Sequence, residues 1–286
     1  MARPLAAPCT TTLSAGSWRP SPLIRGSVAL HVGAAAVTAI RPHWWPWALS
    51  SVVADHLLLT AVGLWPRSRW LGPNWTHLPA HPQAHSAVAI TIDDGPDPEV
   101  TPRVLDILDA HGARATFFCI GERVARHAEL ARTIASRQHE IGNHSYRHLK
   151  RFSLLGPRGI GEEIGLAQQV ILDATGECPR FFRAPAGLRN PLLEPVLARE
   201  HLQLVSWTRR GFDTVNPNAA AVLSRLMQRL QGGDILLLHD GHSARSSTGT
   251  PVILEVLPRL LSELAAAGLT PITLRHALEH PQGPPM

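Results

Sequence analysis

The sequence predicts an α/β fold in which parallel strands alternate with helices, as a barrel or a doubly wound sheet, preceded by an N-terminal apolar helical hairpin. Three observations carry this. Ala87-Val88-Ala89-Ile90-Thr91-Ile92-Asp93-Asp94-Gly95-Pro96 is an apolar, β-branched run, the pattern of a strand buried on both faces, and it ends abruptly in two adjacent carboxylates. Further short apolar runs follow it, alternating with stretches of helical spacing and interrupted by no repeat or low-complexity insert. Asp93, Asp94, His144, Arg183 and His239 each fall at the C-terminal end of a predicted strand, where parallel α/β barrels gather their chemistry.

Residues 1–20 are rich in Ala, Pro, Ser and Thr without periodicity and read as a disordered lead. Within residues 21–66, Gly26 to Ile40 is apolar or small apart from His31, and Trp47 to Trp65 apart from Asp55 and His56. Between them Arg41-Pro42-His43-Trp44-Trp45-Pro46-Trp47 is a turn with three Trp, residues that favour the headgroup level of a bilayer. This predicts a membrane-associated helical hairpin, against a cost of about 2.5 to 3.5 kcal/mol for Asp55 if it sits at mid-bilayer. Arg3, Arg19 and Arg25 precede the hairpin and Arg67 and Arg69 follow it, with Arg41 alone in the turn. If both segments span a bacterial inner membrane, that asymmetry favours the cytoplasmic face for the main domain; if one spans, the opposite face follows. Residues 67–85, carrying Pro73, Pro79 and Pro82, read as a linker.

The main domain is expected over residues 86–280. Glu99 to His111 carries Val100, Val104, Ile107 and Leu108 at helical spacing and closes on Gly112. Ala115 to Ile120 is the next strand and Gly121 to Arg137 the next helix; Glu140 to His144 ends a third strand, with Glu162 to Ala174 as its helix. Phe181 to Arg183, Leu202 to Trp207, Asp234 to His239 and Pro271 to Leu274 complete seven strands, with helices at Pro191 to Glu200, Ala219 to Leu230 and Pro251 to Ala267.

The chain has 286 residues, 44% hydrophobic and 17% charged, a net charge of +5 and 16 His. Its pI is about 10.0 and its mean hydropathy is near zero. The positive charge is spread as single Arg residues rather than a basic patch with interleaved aromatics, which argues against nucleic acid as a partner. Cys9, Cys119 and Cys178 show no zinc-knuckle or redox spacing. Nothing in the sequence indicates protein partners or an organic cofactor.

His144-Ser145-Tyr146-Arg147-His148 places two imidazoles four residues apart, so a helical turn or a tight loop brings both nitrogens onto one ion. Two His with an Asp leave positions open for water and substrate, the arrangement of a catalytic metal site. A lone pair at that spacing is usually surface; beside the Asp93-Asp94 tip, and with His239 closing another strand, coincidence is a poor explanation. Five blocks then stand in order: Thr91-Ile92-Asp93-Asp94-Gly95-Pro96, Ala115-Thr116-Phe117-Phe118, Gly142-Asn143-His144-Ser145-Tyr146-Arg147-His148, Phe182-Arg183-Ala184-Pro185-Ala186-Gly187 and Leu236-Leu237-Leu238-His239-Asp240. In order and spacing they resemble the polysaccharide deacetylases of carbohydrate esterase family 4, the NodB-homology domain, over about residues 86 to 276.

The resemblance implies a distorted seven-stranded (β/α) barrel with one divalent ion, zinc first, held by Asp94, His144 and His148. It implies Asp93 as the general base toward the attacking water, Arg183 orienting that base, His239 protonating the leaving amine, Asp213 holding His239, and the backbone N–H of Ala186 stabilising the oxyanion. The implied reaction removes an N-acyl group, acetyl first, from an amino sugar or glycan. Three positions depart from the family pattern: Ala186 stands where an aromatic residue is usual, Arg210 where the fourth block has its first Asp, and Thr214 where it has Trp. Together with Arg189 and Arg209 near the same rim, and the apolar N-terminus, Arg210 motivates the expectation of an anionic or lipid-linked amino sugar as substrate. The competing readings are an inactive glycan-binding module and a metal-dependent hydrolase of another ester or amide bond.

Overall fold

The computed structural model describes residues 18–79 and 86–279. Most of the expected lead, the end of the expected linker and the last seven residues lie outside them. Trp18 to Pro20 carry no regular structure. The hairpin is two helices, α1 (Pro22–Ile40) and α2 (Trp45–Gly63), packed on each other and joined by a short 3-10 turn. Ser21 caps α1 through its side chain, with Pro22 in the first turn, as the sequence rules for a helix start require.

Strand β1 (Ala87–Asp93) is buried at every position, as an unbroken apolar run demands. The chain then alternates: α3 (Thr101–Ala110), β2 (Thr116–Cys119), α4 (Gly121–Arg126), α5 (Ala128–Ser136), β3 (Glu140–Asn143), α6 (Pro157–Thr175), β4 (Phe181–Phe182), α7 (Leu193–Arg199), β5 (Gln203–Leu204), β6 (Arg209–Arg210), α8 (Ala219–Met227), β7 (Ile235–His239), α9 (Val252–Ala266), β8 (Thr270–Ile272) and α10 (Leu274–Glu279). The strand order β5-β4-β3-β2-β1-β7-β6, parallel throughout with β8 alongside the start of β1, is that of a (β/α) barrel rather than a doubly wound sheet. All seven expected strands are present; β6 is additional, because the run from Leu202 to Trp207 shortens and the chain returns to pair with β7. The expected helix from Gly121 breaks at His127, whose φ of −130° and ψ of 49° are not helical. One large core lies between β1, β2, β7 and the helices α3, α8 and α9.

The barrel is open between β5 and β6, which follow each other in sequence without pairing. The stretch expected to be a linker fills that opening. Trp75 bridges to Val205, its N–H donating to the Leu204 carbonyl at 2.9 Å, and His77 bridges to Asp234 on the other side. Leu71 and Leu78 are buried beneath it. Pro66 to Leu78 is therefore part of the barrel wall, with backbone groups satisfied by two strands at once.

Candidate active site

Asp93 and Asp94 leave the tip of β1 in different directions because the backbone turns sharply there: Asp94 has φ 73°, a left-handed conformation that Asp tolerates. Both are buried. Asp93 is locked by Arg183, whose Nη1 donates to Oδ1 at 2.6 Å and to Thr91 Oγ1 at 2.8 Å. The same guanidinium donates to the carbonyls of Ser206 and Val205 and lies over the Phe118 ring, so every face is occupied and its position is fixed. Arg183 has one orientation available, and so does Asp93.

Asp94, His144 and His148 each present a ligand atom within 4.8 Å of the others. Asp94 Oδ1 lies 3.4 Å from His144 Nε2 and 3.3 Å from His148 Nε2. Three features of these residues fit a divalent ion. Asp94 Oδ1 is buried without a hydrogen-bond partner among the described residues. His144 Nδ1 donates to the Arg183 carbonyl at 2.7 Å, which fixes the ring with Nε2 turned to the carboxylate as the atom that an ion would take in place of a proton. Burial and the neighbouring His144 push the His148 imidazole down to about 4, so it is neutral and able to ligate at pH 7. Burial alone would raise Asp94, but the imidazoles of His144 and His242 outweigh it and hold the carboxyl well below the usual carboxylate range. Two imidazoles and one carboxylate suit zinc.

His239, at the end of β7, donates from Nδ1 to Asp213 Oδ1 at 2.9 Å, and its backbone N–H donates to Asp213 Oδ2 at 2.7 Å. Burial opposes its protonation, but Asp213 and the two carboxylates of β1 outweigh this and raise its pKa. Its protonated form is therefore favoured, with Nε2 free of the Asp213 contact. Ala186, in a 3-10 turn after β4, adopts φ 54° and ψ 9° and lines the same cavity. That cavity, about 230 Å³, brings together Asp93, Asp94, His144, His148, His239 and Ala186. Arg183 and Asp213 stand directly behind it.

Of the three arginines expected at the rim, the structure leaves one. Arg189 is buried, donating from Nη2 to the Ser68 carbonyl at 2.6 Å with Glu194 at 3.8 Å, and Arg209 pairs with Asp234 at 2.9 Å. Arg210 and Thr214 line the cavity. Sequence reading missed His242, whose Nδ1 donates to Asp94 Oδ2 at 2.8 Å. Its signal was the spacing His239-Asp240-Gly241-His242, which returns a second imidazole to the same cleft.

A parallel barrel has its strand tips converging on a two-His, one-Asp donor set that could hold a metal ion, flanked by a clamped carboxylate and a clamped His, the layout of a hydrolase. Residues 80–205 match the family model described as polysaccharide deacetylase. The chain is 34% identical over 201 residues to a peptidoglycan-N-acetylglucosamine deacetylase of Bacillus cereus, covering 70% of this chain and 91% of that one. It is 36% identical over 157 residues to a chitooligosaccharide deacetylase of Bradyrhizobium, covering 54% and 71% respectively. Among solved structures it is similar to a family 4 carbohydrate esterase of Streptomyces lividans in complex with acetate, with a TM-score of 0.59, 33% identity, and 65% of this chain and 91% of that chain covered. It is similar also to a mutant CE4 family pseudoenzyme with restored enzymatic activity, with a TM-score of 0.63, 27% identity, and 71% and 72% covered. This chain belongs to the polysaccharide deacetylase family.

Proposed function

We propose that the chain is a divalent-metal-dependent hydrolase, zinc first, that removes an N-acyl group, acetyl in the first instance, from an amino sugar of a glycan or of a lipid-linked precursor. The observation that carries this is the convergence of Asp94, His144 and His148 beside two proton-transfer groups that are each held by a partner, Asp93 by Arg183 and His239 by Asp213. A divalent ion at that donor set supplies Lewis-acid polarisation of the amide carbonyl and a lowered pKa for the attacking water. The rest of the chemistry belongs to the chain. With Oδ1 held by Arg183, Asp93 offers Oδ2 to the proton of the attacking water. His239, kept charged by Asp213, delivers a proton from Nε2 to the leaving nitrogen, without which an amine is expelled poorly. Ala186 lines the same cavity, and its backbone N–H is the donor assigned to the oxyanion in this reading. The curated relatives support an amide of N-acetylglucosamine as the bond cut.

The inactive, glycan-binding reading draws on the likeness to a pseudoenzyme; against it, Asp94, His144 and His148 are all present, and Asp93 and His239, the base and acid of this reading, are each held by a partner. Asp93→Asn tests the assignment: metal content stays at wild-type level and amine release falls about 10³-fold or more, the scale of a general base. His148→Ala loses the metal itself, read by elemental analysis. Near-wild-type turnover by Asp93→Asn removes Asp93 from the mechanism, and a metal-loaded protein that cleaves esters but no amide favours the hydrolase of another bond.

The hairpin supports a membrane location. Each helix has 19 residues, about 28 Å at 1.5 Å per residue, against a hydrocarbon core of about 30 Å. Their polar side chains satisfy one another: Ser27 Oγ donates to Asp55 Oδ2 at 2.6 Å, His31 Nε2 meets His56 Nε2 at 3.1 Å, and Thr38, Ser50, Ser51 and Thr60 donate to carbonyls one turn back. The outward surface is left to Val28, Val32, Val53 and Leu57. Trp44, Trp45 and Trp47 mark one end and Trp65 and Trp70 the other, all exposed, like the aromatic belts at two interfaces. By length and composition α1 alone is apolar enough to cross a membrane by itself; if both helices insert as a pair, Arg19, Arg25, Arg67 and Arg69 at the base and Arg41 alone at the tip would favour the cytoplasmic side for the barrel.

A further inference from the structure

Arg210 carries a positive charge into the catalytic cavity that no carboxylate matches. Successive residues of a strand face opposite ways, so β6 turns Arg209 out to Asp234 and Arg210 in, beside its register partner Leu237. No carboxylate among the described residues lies within 4.0 Å of its guanidinium. What holds it is aromatic: the Trp207 and Phe212 ring centroids lie 5.6 and 5.0 Å from Cζ. Its buried Nε has no hydrogen-bond partner among the described residues. A guanidinium stacked on rings in this way keeps its in-plane N–H groups for something else, and their geometry matches a phosphate or carboxylate.

The charge balance points the same way. Around the cavity, Asp93 faces Arg183, Asp213 faces His239 and Asp94 faces the imidazoles of His144 and His148, and none of these carboxylates is turned to Arg210. Two further cations stand close by: Arg225 on the other contact of Phe212, and Arg67, whose Nη1 donates to the Thr208 carbonyl at 3.4 Å.

The same wall is joined to the apolar hairpin. The Arg189 N–H donates to the Gly63 carbonyl at 3.1 Å, and a Cβ on Gly63 would collide with the Arg189 carbonyl. Pro66 packs against Gly187 so closely that a Cβ there, at φ 74°, would lie 2.7 Å from Pro66 and 2.6 Å from the Trp207 ring. Thus the residues next to Ala186 and Arg210 touch the segment that leaves α2, and exposed Phe212 and Val215 continue the wall.

We propose that Arg210 pairs with a phosphate on the substrate, so that the chain deacylates a phosphate-bearing amino sugar, presented in lipid-linked form at the membrane, in preference to a neutral oligomer. This rests on the deacylase reading above. The full chain in detergent, loaded with zinc, is assayed for amine release from a polyprenyl-phosphate-linked N-acetylglucosamine, from N-acetylglucosamine 1-phosphate and from neutral chitotetraose. The lipid-linked substrate is expected to exceed chitotetraose in kcat/KM by about 10- to 100-fold, the range of a charge-assisted hydrogen bond. In Arg210→Gln that ratio falls toward one, and Arg210→Lys keeps part of it. Equal rates on the two phosphates assign the recognition to phosphate and overturn the lipid-linked form; preference for chitotetraose, or a ratio unmoved by Arg210→Gln, overturns the proposal. Calorimetric binding of N-acetylglucosamine 1-phosphate is measured alongside and needs no turnover: affinity about tenfold or more weaker in Arg210→Gln supports the pairing even if no substrate is cleaved, a result that would sink the deacylase reading alone, and equal affinity sinks the pairing.

Discussion

At the scale of single residues, three groups in the cleft each have a second residue that fixes them: Arg183 for Asp93, Asp213 for His239, the Arg183 carbonyl for His144. Asp94 follows the same rule through His242, whose Nδ1 holds Oδ2 at 2.8 Å and leaves Oδ1 for an ion. Residues that orient a metal ligand typically contribute 10- to 100-fold in affinity. His242→Ala is therefore expected to weaken zinc binding by about that factor, measured by chelator competition, with an unchanged circular dichroism spectrum. His242→Asn, which keeps a donor near Oδ2, recovers part of the loss. Equal affinity in all three proteins would show that Asp94 is oriented by its backbone alone.

At the scale of elements, the hairpin was legible because two apolar runs around a Trp-rich turn leave few alternatives, and β1 because an unbroken apolar run is a buried strand. What the sequence hid is long-range. Pro66 to Leu78 reads as a proline-punctuated linker, yet Trp75 and His77 close the barrel against Val205 and Asp234, pairings set by residues about 130 and 157 positions away. The three rim arginines looked alike until the fold buried Arg189 and paired Arg209. In the hairpin the sequence could not tell which face Asp55 takes, and the structure turns it inward onto Ser27. Position then decides the effect of a charge. Glu at both Val32 and Leu57, which face outward, costs about 2.5 to 3.5 kcal/mol each in hydrocarbon and is expected to move the protein from the carbonate-washed membrane pellet to the supernatant. Asp55→Leu is expected to stay in the pellet. Pelleting of the double Glu variant as firmly as wild type would mean that these faces do not meet lipid.

At the scale of the whole molecule, the barrel divides chemistry from stability by its two ends. The strand tips carry the site, and its five motif blocks were readable because they fall where short apolar runs stop; the opposite end is closed by groups no motif marks. Glu140 starts β3 there, accepting hydrogen bonds from Thr116 Oγ1 at 3.1 Å and the Arg275 backbone N–H at 2.9 Å. Burial pushes its carboxyl up to about 7, more than Arg275 can offset. A carboxyl whose pKa is higher folded than unfolded binds its proton more tightly in the native chain, so its contribution is fully present below pH 4.5 and is lost as pH rises through about 7. His139 beside it runs the other way: burial lowers it to about 4, so stability falls as pH drops below its ordinary value. Glu140→Gln keeps an acceptor for Arg275 and Thr116 while removing the titration, and Arg275 retains Glu177 at 3.0 Å. Relative to wild type, the variant should gain about 2.5 kcal/mol between pH 5 and pH 8, the part of the shift that falls in that window at 1.36 kcal/mol per unit. Denaturant unfolding of both proteins at the two pH values measures it. Parallel curves would show that Glu140 is already ionised at pH 5, with Arg275 rather than burial setting its charge.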